Sequence, residues 1–198
     1  MNRNKEIVDI KFAKVHPNAI IPSKRDEDMG FDIYACFDED YMVINPHETK
    51  LIPTGIASSC NSDYGFLVFE RGSTGSKGIA RRCGVIDSGY RNEWFIGLTN
   101  TTKNTLFITK LSAEETVNKF IEDWATKIHK AANKATEDLL RSEAEYITKN
   151  SIVYPYSKAI AQALIVPVPK TEVQELSYED LKTIKSERGM GALGSSNK

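Results

Sequence analysis

A carboxylate and a phenol lie close together where the chain is predicted to turn. Asp87 ends an apolar run and Tyr90 follows three residues later, with Ser88 and Gly89 between them as turn residues. The residues after the turn alternate between apolar and polar, so the pattern predicts a hairpin over residues 83–100 with a carboxylate at its closed end. A carboxylate and a phenol held at such a turn could belong to a site, and the alternative is a pair of ordinary turn residues.

Two short segments carry the cations, hydroxyls and glycines that suit phosphate groups. Arg71 ends a predicted strand and is followed by Gly72 and Ser73, while Arg188 and Ser195 belong to a glycine-rich C-terminal segment. An arginine fork matches phosphate oxygens, and glycine lets main-chain N–H groups approach an anion. The spacing of a P-loop is absent. The alternatives are an ordinary loop and a disordered polar tail.

Two more polar residues lie in predicted strands. Asp32 follows Gly30 at the start of a strand, where a carboxylate could lie near a hard cation. Gln162 interrupts an otherwise apolar strand over residues 160–166, and its amide could point into a site. The alternatives are a solvated acidic loop for Asp32 and a solvent-facing edge position for Gln162.

The overall composition excludes several classes of protein. The formal net charge of the 198 residues is -1, so direct binding to nucleic acid is not expected. Apolar runs are too short for a membrane span, and no membrane association is expected. Three cysteines, Cys36, Cys60 and Cys83, form no C-x-x-C pair, which favours reduced thiols in a cytoplasmic protein.

The chain divides into a part with β pattern and a part with helical pattern. Short strands with frequent turn residues predict a mainly β fold of jelly-roll type. Ser112 and Glu115 form a capping box, and apolar residues then recur every three or four positions, which predicts one long helix or a helix pair. We therefore expect a β domain of residues 1–110 and 151–198 that carries an α-helical insertion of residues 111–150.

Five segments, taken in order, carry a family resemblance. They are MGFDIYA, RGSTGSKG, GVIDSGYRNE, AIAQALI and RGMGALGSS, and together they resemble the five motifs of the trimeric dUTPases, which hydrolyse dUTP to dUMP and pyrophosphate. The resemblance implies a dUTPase-like β-jelly roll, or clip barrel, that uses Mg²⁺ and assembles as a homotrimer. It also implies active sites built from motifs of all three subunits and closed by the C-terminal arm.

The resemblance assigns a role to each matching residue. Asp87 is implied to activate the attacking water, and Asp32 to hold magnesium through water. Tyr90 is implied to pack under the deoxyribose, and the main chain at Gly84 and Ile86 to bind the uracil edge. The positions implied to contact the phosphates, including those of the arm, are Arg71, Gly72, Ser73, Gln162, Arg188 and Ser195.

The family pattern is broken at four places. Arg71-Gly72-Ser73 replaces Arg-Ser-Gly, and Ala159 replaces an arginine. Leu193 replaces the phenylalanine that covers the uracil, and Asn197 replaces the final glycine of the fifth motif. We expect altered closure over the substrate rather than loss of the reaction. The alternatives are a dCTP deaminase-like enzyme of the same fold and a regulatory protein-binding module on a dUTPase scaffold.

The helical insertion has its own resemblance. Some staphylococcal phage dUTPases are similar in carrying an insert between the third and fourth motifs, and they bind a repressor protein. The resemblance implies a protein partner at residues 111–150 and a bacterial or phage-infected cell as the host.

Overall fold

The computed structural model describes residues 7–82, 84–129 and 133–187, with the main chain alone for residues 127–129. These residues form twelve strands and four helices. The strands are β1 (Ile10–Lys14), β2 (Phe31–Ile33), β3 (Tyr41–Ile44), β4 (Thr49–Pro53), β5 (Ile56–Cys60), β6 (Tyr64–Phe69), β7 (Ile79–Arg82), β8 (Val85–Ile86), β9 (Phe95–Asn100), β10 (Leu106–Thr109), β11 (Ile152–Pro155) and β12 (Ala161–Pro167). The helices are α1 (Gly72–Gly75), α2 (Ala113–His129), α3 (Lys134–Asn150) and α4 (Tyr178–Thr183).

The strands up to β12 form four small sheets around one apolar core. Their orders are β1-β5, β11-β10-β3, β2-β12-β6-β8 and β4-β9-β7, and all pairs except β10 with β11 are antiparallel. Trp94 and Phe66 lie at the centre with ring centroids 5.0 Å apart, and both are buried. The fold is therefore mainly β and jelly-roll-like, as the sequence predicted.

The predicted hairpin over residues 83–100 is wrong. Strand β8 pairs with β6, whereas β9 pairs with β4 and β7 in another sheet. Because β9 has a paired strand on each side, it has no edge left for β8, and its residues from Ile96 to Asn100 are all buried. The turn at Asp87 therefore connects two sheets rather than two paired strands.

The helical pattern forms a helix pair. The predicted capping box begins α2, because Ser112 N donates to Glu115 Oε2 at 2.9 Å and Glu115 N donates to Ser112 Oγ at 3.2 Å. Helix α3 begins at the N-cap Asn133, whose side chain accepts a hydrogen bond from Thr136 N at 3.0 Å. We refer to the helix pair, residues 112–150, as the insert.

Aromatic side chains attach the insert to the β barrel. Phe120 of α2 packs edge-on against Phe107 of β10 with centroids 5.3 Å apart, and it also contacts Trp124 at 5.1 Å. Trp124 Nε1 donates to the main-chain oxygen of Leu140 in α3 at 2.9 Å, which joins the two helices. The apolar stripe of α2 thus packs on the barrel and on α3.

Polar contacts support the same interface. Tyr41 Oη donates to Asp123 Oδ2 at 2.6 Å, and Lys119 forms an ion pair with Asp40. Burial, together with the bond to Asp123, raises the pKa of Tyr41 well above its ordinary value. The hydrogen bond from Lys119 lowers the pKa of Asp40. Deprotonating Tyr41 would place a second negative charge beside Asp123, so the phenol holds the insert as a neutral donor.

The insert is also the connection between two parallel strands. β10 and β11 are parallel neighbours, with Leu106 opposite Ile152 and Thr109 opposite Pro155. A chain that leaves the end of one strand must return along its length before it can start a parallel neighbour. The insert therefore supplies a crossover that the sheet requires, besides its own helices.

Residues 169–198 form a separate compact unit, described up to Glu187. Its helix α4 starts at Ser177, whose Oγ accepts a hydrogen bond from Asp180 N at 3.1 Å. Within the described residues, no helix is both long and apolar enough to cross a membrane.

Candidate active site

Strand pairing brings the first three predicted site residues together. Gln162 of β12 lies opposite Asp32 of β2 on one side and opposite Phe69 of β6 on the other, and Arg71 lies two residues after the end of β6. Arg71 Nε is 2.9 Å from Asp32 Oδ1, and each side chain is about one-third exposed (31% and 33%). Arg71 Nη1 also donates to the main-chain oxygen of Ala159 at 3.5 Å. The guanidinium is thus held in place while part of it remains open to a ligand.

The amide of Gln162 is oriented by its neighbours. Its Nε2 donates to the main-chain oxygen of Glu70 at 2.8 Å, which leaves one amide hydrogen for another acceptor. A Cβ atom at Gly30 would lie 2.9 Å from Gln162 Oε1, so only glycine fits there without moving the amide. Gly30 therefore allows Gln162 to sit beside Asp32 and Arg71.

A cavity of about 710 Å³ opens over Asp32, Arg71 and Gln162. Its remaining lining residues come from the loop before β2 and are Ser23, Lys24, Arg25, Glu27, Asp28, Met29 and Gly30. The carboxylates of the lining are hard oxygen donors of the kind that Mg²⁺ prefers, although no three-residue metal cluster exists among the described residues. The donor chemistry therefore fits a hard divalent cation such as Mg²⁺.

Helix α1 presents main-chain and hydroxyl groups beside Arg71. Arg71 N donates to Thr74 Oγ1 at 3.1 Å, and Thr74 Oγ1 donates back to Arg71 O at 2.9 Å, which fixes this short turn. Gly72 and Ser73, at the start of α1, are exposed, and no atom lies within 4 Å of a Cβ placed on Gly72. Gly72 lines a second cavity of about 480 Å³ together with Arg71.

A second group of predicted site residues surrounds the turn after β8. Tyr90 N donates to Asp87 O at 3.0 Å, and Tyr90 Oη donates to Glu93 O at 3.0 Å. Arg91 Nη1 donates to the main-chain oxygen of Ser88 at 2.5 Å. The Asp87 side chain is exposed on this fixed turn, and Asp87 and Ile86 line a cavity of about 160 Å³.

Strand β8 is an edge strand, and its outward main-chain groups are available. Val68 N donates to Gly84 O at 2.7 Å, so the carbonyl group of Gly84 points towards β6. Main-chain groups alternate between the two sides of an antiparallel strand, so those of Val85 point to the free edge. Val85, which the sequence did not single out, therefore presents one donor and one acceptor between the predicted positions Gly84 and Ile86.

The two groups of predicted site residues line separate cavities. The cavity over Asp32, Arg71 and Gln162 shares no lining residue with the cavity beside Asp87. The predicted arm residues, Arg188, Leu193 and Ser195, lie outside the described residues.

Glu70 is a supporting residue that sequence reasoning missed. Its main-chain oxygen orients Gln162, and its Oε1 accepts a hydrogen bond from Arg81 N at 3.0 Å. The main-chain hydrogen bonds that the carboxylate accepts, first from its own N–H and then from that of Arg81, lower the pKa of Glu70. The only signal in the sequence was its position directly before Arg71.

Comparisons with known proteins point to one family. A family model described as dUTPase matches residues 16–112. The deoxyuridine 5'-triphosphate nucleotidohydrolase of Leptospira interrogans is 32% identical over 99 residues, which cover 48% of this chain and 68% of the relative. The protein of the same name from a Picosynechococcus species is 33% identical over 105 residues, which cover 51% and 71% of the two chains.

Solved structures share the fold at lower identity. The dUTPase of Staphylococcus bacteriophage 80alpha, solved with dUPNHPP, is 20% identical with a TM-score of 0.63 and covers 95% of this chain and 98% of its own. The dUTPase of phage phi11 of S. aureus, described with a species-specific insert, is 17% identical with a TM-score of 0.56 and covers 85% and 96%. At these identities the likeness concerns the fold.

Proposed function

The chain belongs to the dUTPase family, and from this premise we propose that it hydrolyses dUTP to dUMP and pyrophosphate. One observation carries the proposal beyond the family match. Arg71 is held by Asp32 beside Gln162, at the opening of a cavity large enough for a triphosphate. A dUTPase needs such a cationic site for the leaving pyrophosphate, and a separate carboxylate for water.

Asp87 is the proposed general base. Its exposed carboxylate takes a proton from a water molecule, whose oxygen attacks the α-phosphorus of dUTP. The bond from that phosphorus to the oxygen bridging the α and β phosphates breaks, and pyrophosphate leaves with the electron pair. The turn that holds Asp87 is fixed by hydrogen bonds from Tyr90 and Arg91, so the carboxylate is positioned before the substrate arrives.

The residues proposed to bind the phosphates belong to the group around Arg71. Arg71 and the remaining amide hydrogen of Gln162 contact phosphate oxygens, supported by the main chain at Gly72 and the hydroxyl of Ser73. When bound, Mg²⁺ offsets the negative charge of the triphosphate, and Asp32 is the residue that would hold it through water. Arg188, Leu193 and Ser195 keep their roles in the arm as part of this proposal.

The residues proposed to bind the uracil and the deoxyribose lie in β8 and in the turn that follows it. Tyr90 uses its hydroxyl on Glu93 O, so its ring, which is 38% exposed, is available as a fixed wall under the deoxyribose. The main chain from Gly84 to Ile86, with Val85 facing the free edge, binds the uracil. Leaving a buried polar group unpaired is costly, which makes such an edge selective.

We further propose that the active unit is a homotrimer in the cytoplasm of a bacterial or phage-infected cell. The separation of the Asp87 group from the Arg71 group within one chain supports sites that are shared between copies. Cys36 and Cys60 are free thiols, as a reducing compartment favours.

Turnover of dUTP by the full chain with Mg²⁺ tests the function. We expect pyrophosphate and dUMP in equal amounts, and no ammonia from dCTP. Release of ammonia from dCTP would identify a deaminase of the same fold. Binding of dUTP without any turnover would favour a regulatory module.

The insert is the surface that we propose for a protein partner. An apolar groove of about 350 Å³ lies between α2 and α3, lined by Ile121, Ala125 and Ala144 among others. Ile121 is 40% exposed, so apolar surface remains there after the insert has packed on the barrel.

Replacing the insert should leave catalysis nearly intact and lower the stability of the fold. We expect a variant with residues 112–150 replaced by a flexible linker of about a dozen residues, the length a parallel crossover needs, to turn over dUTP nearly as fast as the full chain. Its free energy of unfolding should fall by about 1.5–3 kcal/mol, because Phe107 loses its cover. Steady-state kinetics and urea unfolding measure the two effects.

The exposed Leu139 supplies a matched control, because Leu139→Ala changes the insert surface without touching the packed face and should alter neither quantity. Loss of turnover in a folded linker variant would give the insert a role in the site itself.

A further inference from the structure

Arg81 carries a positive charge that finds no acceptor in the described part of the chain. Its Nε is buried without a hydrogen-bond partner, and across residues 7–82, 84–129 and 133–187 its guanidinium donates no hydrogen bond and forms no ion pair. Its Cζ lies 5.6 Å from the ring centroid of Phe69. Buried donors are nearly always paired in folded proteins, so the unpaired Nε indicates that this side chain meets an acceptor that binds later.

The guanidinium lies against Gly84. Its Cζ is 2.9 Å from the position that a Cβ of Gly84 would take, and Nη1 would also contact that atom. Gly84 directly precedes β8, whose free edge carries the outward main-chain groups of Val85. Arg81 therefore brings several N–H donors to the start of the edge proposed to bind the base.

The main chain of Arg81 is fixed although its side chain is unpaired. Arg81 N donates to Glu70 Oε1 at 3.0 Å, and the residue lies opposite Leu98 in the β7–β9 pair. The main-chain oxygen of Glu70 also accepts a hydrogen bond from Gln162, so Glu70 contacts both Arg81 and the amide that is proposed to bind phosphate. The main chain that carries the guanidinium is thus fixed by the sheet before a ligand arrives.

We propose that Arg81 is a specificity-determining residue that donates a hydrogen bond to the O4 carbonyl of uracil. The inference rests on the proposed hydrolysis of dUTP. Arginine has donors only, so it matches the carbonyl at C4 of uracil and opposes the amino group at C4 of cytosine. A site built to donate to a substrate atom rejects an analogue that cannot accept.

Arg81→Met tests this role, and Arg82→Met is the matched control. Arg82 is the neighbouring exposed arginine, and its Nε donates to Thr99 Oγ1 at 3.1 Å. For Arg81→Met we expect at least about a tenfold rise in KM for dUTP with little change in kcat, and at least about a tenfold smaller preference for dUMP over dCMP in calorimetric binding. Arg82→Met should leave both values unchanged.

Arg81→Lys keeps the charge and one donor, and should recover part of the preference even if Arg81→Met folds poorly. An unchanged ratio of dUMP to dCMP affinity in a folded Arg81→Met or Arg81→Lys variant overturns the inference. Failure of the wild-type chain to hydrolyse dUTP contradicts the proposed function instead, and the binding ratio still tests Arg81 in that case.

Discussion

Replacing Asp87 by asparagine is expected to lower kcat for dUTP by about 10²–10⁴-fold, the contribution of a positioned general base. Asparagine has the same shape but cannot take a proton from water. Tyr90 N bonds to the main-chain oxygen of Asp87, so the turn does not depend on the carboxylate. Steady-state kinetics should therefore show a large loss in kcat, while calorimetry shows dUTP binding close to that of the wild type.

Asp63→Asn is a suitable control, because Asp63 is also an exposed aspartate beside a turn, and it lies outside both groups of site residues. It should turn over dUTP at the wild-type rate. If Asp87→Asn retained full turnover in a folded trimer, Asp87 would not be the base, and the proposed mechanism would lose its first step.

Sequence reasoning succeeded where a local rule decides the structure. The capping box at Ser112 and Glu115 begins α2 at the expected place, because both of its hydrogen bonds form within one turn. The insert ends at Asn150, as the apolar periodicity indicated. The mainly β fold followed from short strands and frequent turns in the rest of the chain.

Sequence reasoning failed where a contact with a distant part of the chain decides the local structure. The pattern of residues 50–57 is typical of one strand, yet the chain forms β4 and β5 with a break at Gly55. Gly55 has φ +65°, and a Cβ there would lie 2.8 Å from the Cβ of Ala19. The contact that demands glycine comes from a distant part of the chain, so alternation along residues 50–57 could not reveal it.

In the candidate site, too, sequence reasoning identified residues by their local pattern and missed those that depend on distant contacts. Arg71 and Asp87 were identified because their residue types and neighbours fit a known chemistry. Glu70 and Arg81 were missed, because their roles arise from pairing between distant strands. That Asp87 and Arg71 belong to separate cavities is likewise a property of the fold, and it leads to the strongest test of assembly.

Two inactive variants are expected to restore activity to each other when they assemble together. Arg71→Ala removes the cation that faces the leaving pyrophosphate and should cost about 10²–10³-fold in kcat on its own. Asp87→Asn removes the base. If a site takes Arg71 from one copy and Asp87 from the next, every trimer that contains both variants has one intact site out of three, so about a third of wild-type turnover should return.

Co-expression with two different tags, followed by purification through both, gives the mixed trimers whose dUTP turnover is measured. Arg71→Ala mixed with Gln162→Ala is the matched control, because both residues belong to one cavity of one chain and every site then keeps a defect. Recovery in the first mixture and none in the second requires Asp87 and Arg71 to act from different copies. Mixed trimers without recovery would place the whole site within a single chain, and the separation of the two cavities would then have to close by a movement within that chain.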